Sequence, residues 1–148
     1  MATRNDDLVT RTDISLDLAQ RLIAAVFAES RRRSVELAAA VVGCGGELVA
    51  AARMDRAQLG ALSIATDKAY TAVSFGFPTS AWAESSMPGG SDWGLGSTLG
   101  GRAIVFPGGL PLRKDGMLVG GIGVSGAAST VDELCARAAI VSCELDVA

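Results

Sequence analysis

Lys68 has the most unusual setting of any charged residue in this sequence. Its helical neighbours are Ile64, Ala65, Ala69 and Ala72, small apolar side chains that leave a lysine two outcomes. It can snorkel to solvent along its own stem, or it can project into a cavity as an anion anchor or a base of lowered pKa. Asp132, beside Glu133, is the second candidate. Both acids suit a helix N-terminus, and either could instead face a pocket as a general acid or base. Arg53, in the run Arg-Met-Asp, offers a planar fork that matches a substrate carboxylate, with Asp55 as a plain alternative partner. Trp82 and Trp93 flank a glycine-rich stretch, where indoles serve as local core or as walls for a planar ligand.

Several chemistries are excluded. The 148 residues include no histidine, which removes the commonest general base, metal ligand and haem ligand together. A histidine triad is impossible, and Cys44 among glycines reads as a small filler rather than a nucleophile. Cys44, Cys135 and Cys143 are odd in number and contain no CxxC, so neither structural disulfides nor a zinc site is expected, and no metal site is assigned. The net charge is −3 and the densest basic run, Arg31–Arg33, suits a helix C-terminus, so nucleic acid is not an expected partner. No stretch is long and apolar enough to span a bilayer, and no secretory h-region opens the chain. The expected location is the cytoplasm.

Gly121-Ile122-Gly123-Val124-Ser125-Gly126 matches GxGxxG letter for letter. A dinucleotide fingerprint opens its helix at once and needs an acidic residue on a strand about twenty positions later. Here the helix cap falls later, at Ser129 or Thr130. The glycines are therefore read as a strand-to-helix turn that allows close packing, with amides able to hold a carboxylate.

The elements that must position these residues follow from periodicity and punctuation. Residues 1–13 read as a flexible leader, and 14–148 as a single domain. Ser15 caps a helix to about Arg33, with Leu18, Leu22 and Val26 inward. Leu37–Val42 and Glu47–Arg53 form a hairpin about Gly43–Gly46. A helix runs from Gly60 to about Phe75, and Thr79 or Ser80 caps a short one through Trp82. Residues 87–111 form a long glycine-rich loop broken by one strand, Arg102–Phe106. Asp115-Gly116 turns a second hairpin, and Thr130-Val131-Asp132-Glu133 has the capping-box form before a last helix with Leu134, Ala138 and Val141 inward. The expectation is an α/β domain of α+β type: a mostly antiparallel five-stranded sheet with helices packed on it.

Taken together, Arg53-Met54-Asp55, Lys68-Ala69, Phe77-Pro78-Thr79, Pro107-Gly108-Gly109-Leu110-Pro111, Asp115-Gly116, and Gly120–Gly126 followed by Asp132 and Cys135 resemble the GlcG/HbpS-like family of haem-degrading or haem-binding domains. The same family supplies the C-terminal domain of PduO-type corrinoid proteins. The resemblance covers roughly residues 14–142. It implies a layered, profilin-like or GlcG-like domain, assembled as a homo-oligomer from dimer to octamer, with haem or corrinoid as a possible cofactor. The positions it implies for a pocket are Arg53, Lys68, Thr79, Gly108, Gly109 and Asp132. Two departures bear on that cofactor: Gly43 stands where relatives usually carry an aspartate, and Glu47 where a histidine often follows. Haem ligation would fall to Thr79, Tyr70, a methionine or a cysteine.

Three functions follow. The first is a small-molecule-binding module that holds a small anionic or planar organic ligand through Arg53, Thr79, Trp93, Gly108, Gly109 and Ser125. The second is a cofactor-independent isomerase or lyase in which Lys68 or Asp132 moves a proton and Arg53 stabilises enolate charge. The third is a haem or corrinoid protein.

Overall fold

Gly121 and Gly123 on the central strand determine how closely a helix can approach the sheet. A Cβ at Gly121 would lie 2.5 Å from the carbonyl oxygen of Ala69, and one at Gly123 would run into that of Ala65. The helix carrying those alanines therefore rests backbone against backbone on the strand. The computed structural model describes residues 1–147, in the order α1 (Leu16–Arg32), β1 (Ala38–Gly43), β2 (Leu48–Arg53), α2 (Ala61–Phe75), β3 (Gly109–Lys114), β4 (Met117–Ser125) and α3 (Ser129–Ser142), with short 3-10 turns between. The strands form one antiparallel sheet in the order β2-β1-β4-β3.

The two faces differ in side-chain size. On one, Ala38 and Ala40 pack with Ala61 and Ala65 of α2, and Val42 with Ala69 and Val73. On the other, Ala39, Val41, Leu110, Leu112, Ile122 and Val124 form the main core with α1 and with Cys135, Ala136, Ala139 and Ile140 of α3. This alternation along each strand is the period-2 pattern of a sheet covered on both sides. Burial of the larger face contributes most of the hydrophobic stabilisation, at roughly 25 cal/mol per Å² of apolar surface.

The first hairpin and the first two long helices lie within one residue of the expected bounds, whereas the second hairpin, expected over Leu112–Lys114 and Met117–Val124, has a first strand that begins three residues earlier, at Gly109. Ser15 Oγ accepts the Leu18 N–H at 3.1 Å and caps α1. Arg32 and Arg33 both reach back to Glu29, which commits two of the three clustered arginines to their own helix. In the second hairpin Asp115 and Gly116 have φ of 50° and 80°, as a two-residue turn that follows the sheet's twist requires.

Three expectations are corrected. The sheet has four strands, because Arg102–Phe106 is not a strand: the Ile104 N–H donates to Thr71 Oγ1 at 3.0 Å instead of to a neighbouring strand. The capping box of α3 does not form. Its N-cap is Ala128 with no side-chain cap, Asp132 accepts from Ala127, and Glu133 pairs with Arg137. The inward face of α3 is also rotated: Leu134 and Val141 are exposed, while Cys135, Ala136, Ala139 and Ile140 fill the core. Residues 5–7 form a 3-10 turn, and the Ile14 N–H donates to Val119 O at 3.0 Å, tying the chain to β4 where α1 begins.

Candidate functional site

Because α2 lies so close to β4, Lys68 cannot reach solvent by the usual route. Its side chain is 1% exposed and runs over the start of the edge strand β3. There a Cβ on Gly108 would meet Nζ at 2.5 Å. Gly108 itself has φ of 128°, a conformation that L side chains rarely adopt. Nζ donates to Val124 O at 2.8 Å and to Asp132 Oδ2 at 3.0 Å, and it lies 5.2 Å from the centre of the Phe106 ring, within cation–π range. Asp132 belongs to α3 on the opposite face, so the ion pair joins the two helical layers around the end of the sheet.

Asp132 is equally enclosed, at 2% exposed. Its Oδ1 accepts the Ala127 N–H at 2.9 Å. Burial pushes the Lys68 ammonium below the ordinary lysine value, against the opposing charge of Asp132. Burial likewise pushes the Asp132 carboxyl up, against Lys68 and the Ala127 amide. Desolvation thus drives the two groups towards their neutral forms, and a hydrogen bond between them supplies a path for a proton.

Thr79 closes the other side. Its buried hydroxyl accepts the Gly109 N–H at 2.9 Å, which fixes the first residue of β3. Between these anchors, residues 104–108 form a strap over Lys68. The upstream end of the strap is held by α2. Arg102 Nε donates to Asp67 at 2.9 Å, its guanidinium stacks on Tyr70 at 3.8 Å, and Thr71 Oγ1 bonds both Arg102 O and the Ile104 amide. The downstream end is held where the Val124 N–H donates to Gly108 O at 2.9 Å.

Of the residues singled out from the sequence, Lys68, Asp132, Thr79, Gly108 and Gly109 come together here. Ser125 is buried at the end of β4, opposite Ala38. Arg53 does not join them. It lies at the far edge of the sheet on β2, opposite Ala38, and donates to Ala57 O at 2.7 Å. Trp93 stays in the glycine-rich loop and is 66% exposed. Sequence reasoning missed Phe106, the Asp67–Tyr70–Arg102 clamp and the pairing of Glu133 with Arg137. Only the last left a local signal, the four-residue spacing of opposite charges on a helix.

The chain is a three-layer α+β domain with a glycine-bearing central strand and a buried Lys–Asp pair at one end of its sheet. This chain belongs to the HbpS-like family, described as haem degrading protein HbpS-like, whose model matches residues 14–141. It is 35% identical over 127 residues to an uncharacterised 15.0 kDa protein from the dhaT-dhaS intergenic region of Citrobacter freundii, covering 86% of this chain and 89% of that one. It is 34% identical over 133 residues to the corrinoid adenosyltransferase PduO of Salmonella typhimurium, covering 90% of this chain but only 40% of PduO. Among solved structures, Klebsiella pneumoniae ORFY superimposes with a TM-score of 0.90 at 32% identity, over 97% of this chain and 98% of its own. The PduOC–heme complex does so with a TM-score of 0.87 at 29% identity, over 92% and 99%.

Haem in a relative raises the question of fit. The Thr79 hydroxyl is enclosed and committed to the Gly109 backbone, and Tyr70 lies under Arg102. Cys135 is in the core, and Met54 Sδ already accepts from Ser30 and Leu37. No cluster of three His, Cys, Asp or Glu residues able to hold a metal occurs among the described residues. Thr79, Cys135 and Met54 are thus committed within the protein and offer no axial haem ligand, and no chemical step is assigned to haem. No helix among the described residues is long and apolar enough to cross a membrane.

Proposed function

We propose that this chain is a small-molecule-binding domain whose ligand, a small anionic or planar organic compound, is recognised at the end of the sheet marked by Lys68, Asp132 and Thr79. The observation that carries this reading is the Lys68–Asp132 pair, buried at 1% and 2% exposure beneath a strap of five residues. Buried ion pairs are weak devices for stability, and perturbed titratable groups gather at functional sites. The relative solved as a heme complex supports binding of a planar molecule by this fold. Thermal unfolding across a panel of hemin, cobalamin, small carboxylates and planar aromatic compounds tests the reading. A concentration-dependent rise in Tm for one class supports it; an unchanged Tm across all of them overturns it.

A second reading is favoured by the converging pKa shifts of Lys68 and Asp132. Such a pair suits cofactor-independent proton transfer, with Lys68 as base and Asp132 holding or returning the proton. Deuterium exchange at the carbon next to the carbonyl of small oxo acids, followed by NMR, tests it. Exchange rates equal to those of the Lys68→Met and Asp132→Asn variants would sink the proposal. A homo-oligomer is also proposed, supported by Leu134 and Val141, exposed on one side of α3; light scattering of purified protein measures it.

A further inference from the structure

Lys68 has a hydrogen-bond donor to spare. An ammonium carries three N–H donors, and Nζ spends two of them, on Val124 O at 2.8 Å and on Asp132 Oδ2 at 3.0 Å. No third acceptor is in reach among the described residues; the remaining neighbour of Nζ is the Phe106 ring, its centre 5.2 Å away. A ring face attracts a cation, but it is a poor substitute for an oxygen, and a buried donor left without an acceptor is costly. The cover is loosely held. Val105, Phe106 and Pro107 make no hydrogen bond among the described residues; those that flank them are the Ile104 N–H to Thr71 Oγ1 and the Val124 N–H to Gly108 O. Phe106 is 42% exposed, so the ring that covers a buried ammonium itself borders solvent. A segment with so few fixed contacts opens locally at low cost.

We propose that Phe106 is a plug in the seat of a planar ligand, and that a neutral, conjugated carbonyl compound the size of a single substituted ring displaces it and gives its oxygen to the unspent N–H of Lys68. This rests on the small-molecule reading above and narrows it to planar molecules with a neutral acceptor. Planarity follows from what the seat now holds: a flat ring over Nζ, beside a Gly108 bare of the Cβ that would meet Nζ at 2.5 Å. Neutrality follows from the surrounding charges. Asp132 already balances Lys68, and the Glu133 carboxylate acts on it as well. A ligand carboxylate would add like charge beside two acids, whereas a ketone or amide oxygen accepts the hydrogen bond without that repulsion. A hydrocarbon of the same shape gains nothing over Phe106, because it leaves the third donor as unsatisfied as the resident ring does.

Amide chemical-shift mapping on the full chain with acetophenone, ethylbenzene, benzoate and cyclohexyl methyl ketone tests this. Acetophenone is expected to shift the amides of Phe106, Gly108 and Val124, with a Kd about tenfold or more below those of the other three. Those three lack, in turn, the acceptor, the neutrality and the flat ring. Phe106→Ala, a change on a partly exposed strap, removes the competing ring and should tighten acetophenone about fivefold or more, because the open seat no longer has to be vacated first. Lys68→Met combined with Asp132→Leu removes the donor together with its counter-charge and should erase the preference for acetophenone over ethylbenzene. Equal affinities for the four probes, unchanged or weaker acetophenone binding in a folded Phe106→Ala, or a preference that survives the double variant overturns the plug. Stabilisation by hemin or a carboxylate, without acetophenone shifts at these residues, overturns the plug and leaves the broader binding reading intact.

Discussion

Lys68 Nζ lies 3.0 Å from Asp132 Oδ2 although the two residues come from helices on opposite faces of the sheet. The contact is possible only at the end of β3, where Gly108 leaves room that a Cβ would take from Nζ. One ion pair therefore joins the α2 layer to the α3 layer.

Removing one partner strands the other. Asp132→Ala should lower stability by about 3–5 kcal/mol, because it leaves an unpaired buried ammonium. The double variant Lys68→Met with Asp132→Leu should recover much of that loss, since two apolar groups need no counter-charge. Urea denaturation of wild type, singles and double completes the cycle. Additive losses would show that the two side chains are not coupled.

The pH dependence follows from the directions of the two shifts. The folded Asp132 carboxyl is raised above its ordinary 3.8, so its contribution is fully present below that value and is lost as pH rises through the folded pKa. The folded Lys68 ammonium is lowered from 10.5, so its contribution grows as pH rises through the folded pKa towards that value. Relative to the double variant, wild type should lose stability as pH climbs above 3.8 and regain it on approaching 10.5. Urea midpoints at a series of pH values read this directly, and parallel profiles for the two proteins would contradict it.

Close packing of α2 predicts a sharp contrast between two glycines. Gly123→Ala drives a Cβ into the Ala65 carbonyl, and both backbones must move, so a loss of at least about 1–3 kcal/mol is expected. At Gly96 a Cβ meets only Ala103 O at 3.8 Å, an ordinary contact, and Gly96→Ala should stay within about 0.5 kcal/mol of wild type. Thermal melts of the two variants measure the contrast.

That contrast bears on what could be read from the sequence. The GxGxxG run was legible as close packing, because its spacing to the next helix did not suit a nucleotide, but it was not the expected strand-to-helix turn: all of it except Gly126 is paired within β4. The Ser15 cap, both hairpins and the alanine face of α2 were legible for the same reason: each is specified by residues within a few positions of one another. Arg102–Phe106 was not, since its β-forming side chains are overridden by Thr71, thirty-three residues upstream of Ile104. Nor was the job of Asp132. Sequence placed it at a helix start, but a partner sixty-four residues away holds it, and only the tertiary fold brings the two together. Arg53, a sound candidate by residue type, sits on the edge strand β2, with β1 between it and the strand β4 whose Val124 O receives Lys68.

Thr79 provides a test that separates fold from ligand. Thr79→Val leaves the buried Gly109 N–H without its acceptor and should cost about 1–3 kcal/mol, whereas Thr79→Ser keeps the oxygen and should lose less. If hemin binds this chain, its Soret band should have the same position in wild type and Thr79→Val, because the hydroxyl is already bonded within the protein. A shifted or lost band in a folded Thr79→Val would make Thr79 an iron ligand and reverse the conclusion on fit.

Access to Lys68 depends on the strap that Arg102 anchors. Nζ is enclosed by Val124 O, Asp132 and the Phe106 ring, so an amine-reactive reagent can reach it only when residues 104–108 move. Arg102 holds that segment through a carboxylate and an aromatic face together, each partly exposed and so worth about 0.2–1 kcal/mol. Their combined loss in Arg102→Ala should raise the population of the open strap several-fold while leaving the core of α1, α3 and the sheet intact. Acetic anhydride labelling followed by peptide mass spectrometry should find Lys68 protected in wild type and labelled several-fold faster in Arg102→Ala, with Lys114, exposed in both, as the internal standard. Equal rates at Lys68 in the two proteins, normalised to Lys114, would mean that the strap opens without breaking the Arg102 clamp. Access to the pair would then have to be sought from the α3 side, past Ala127.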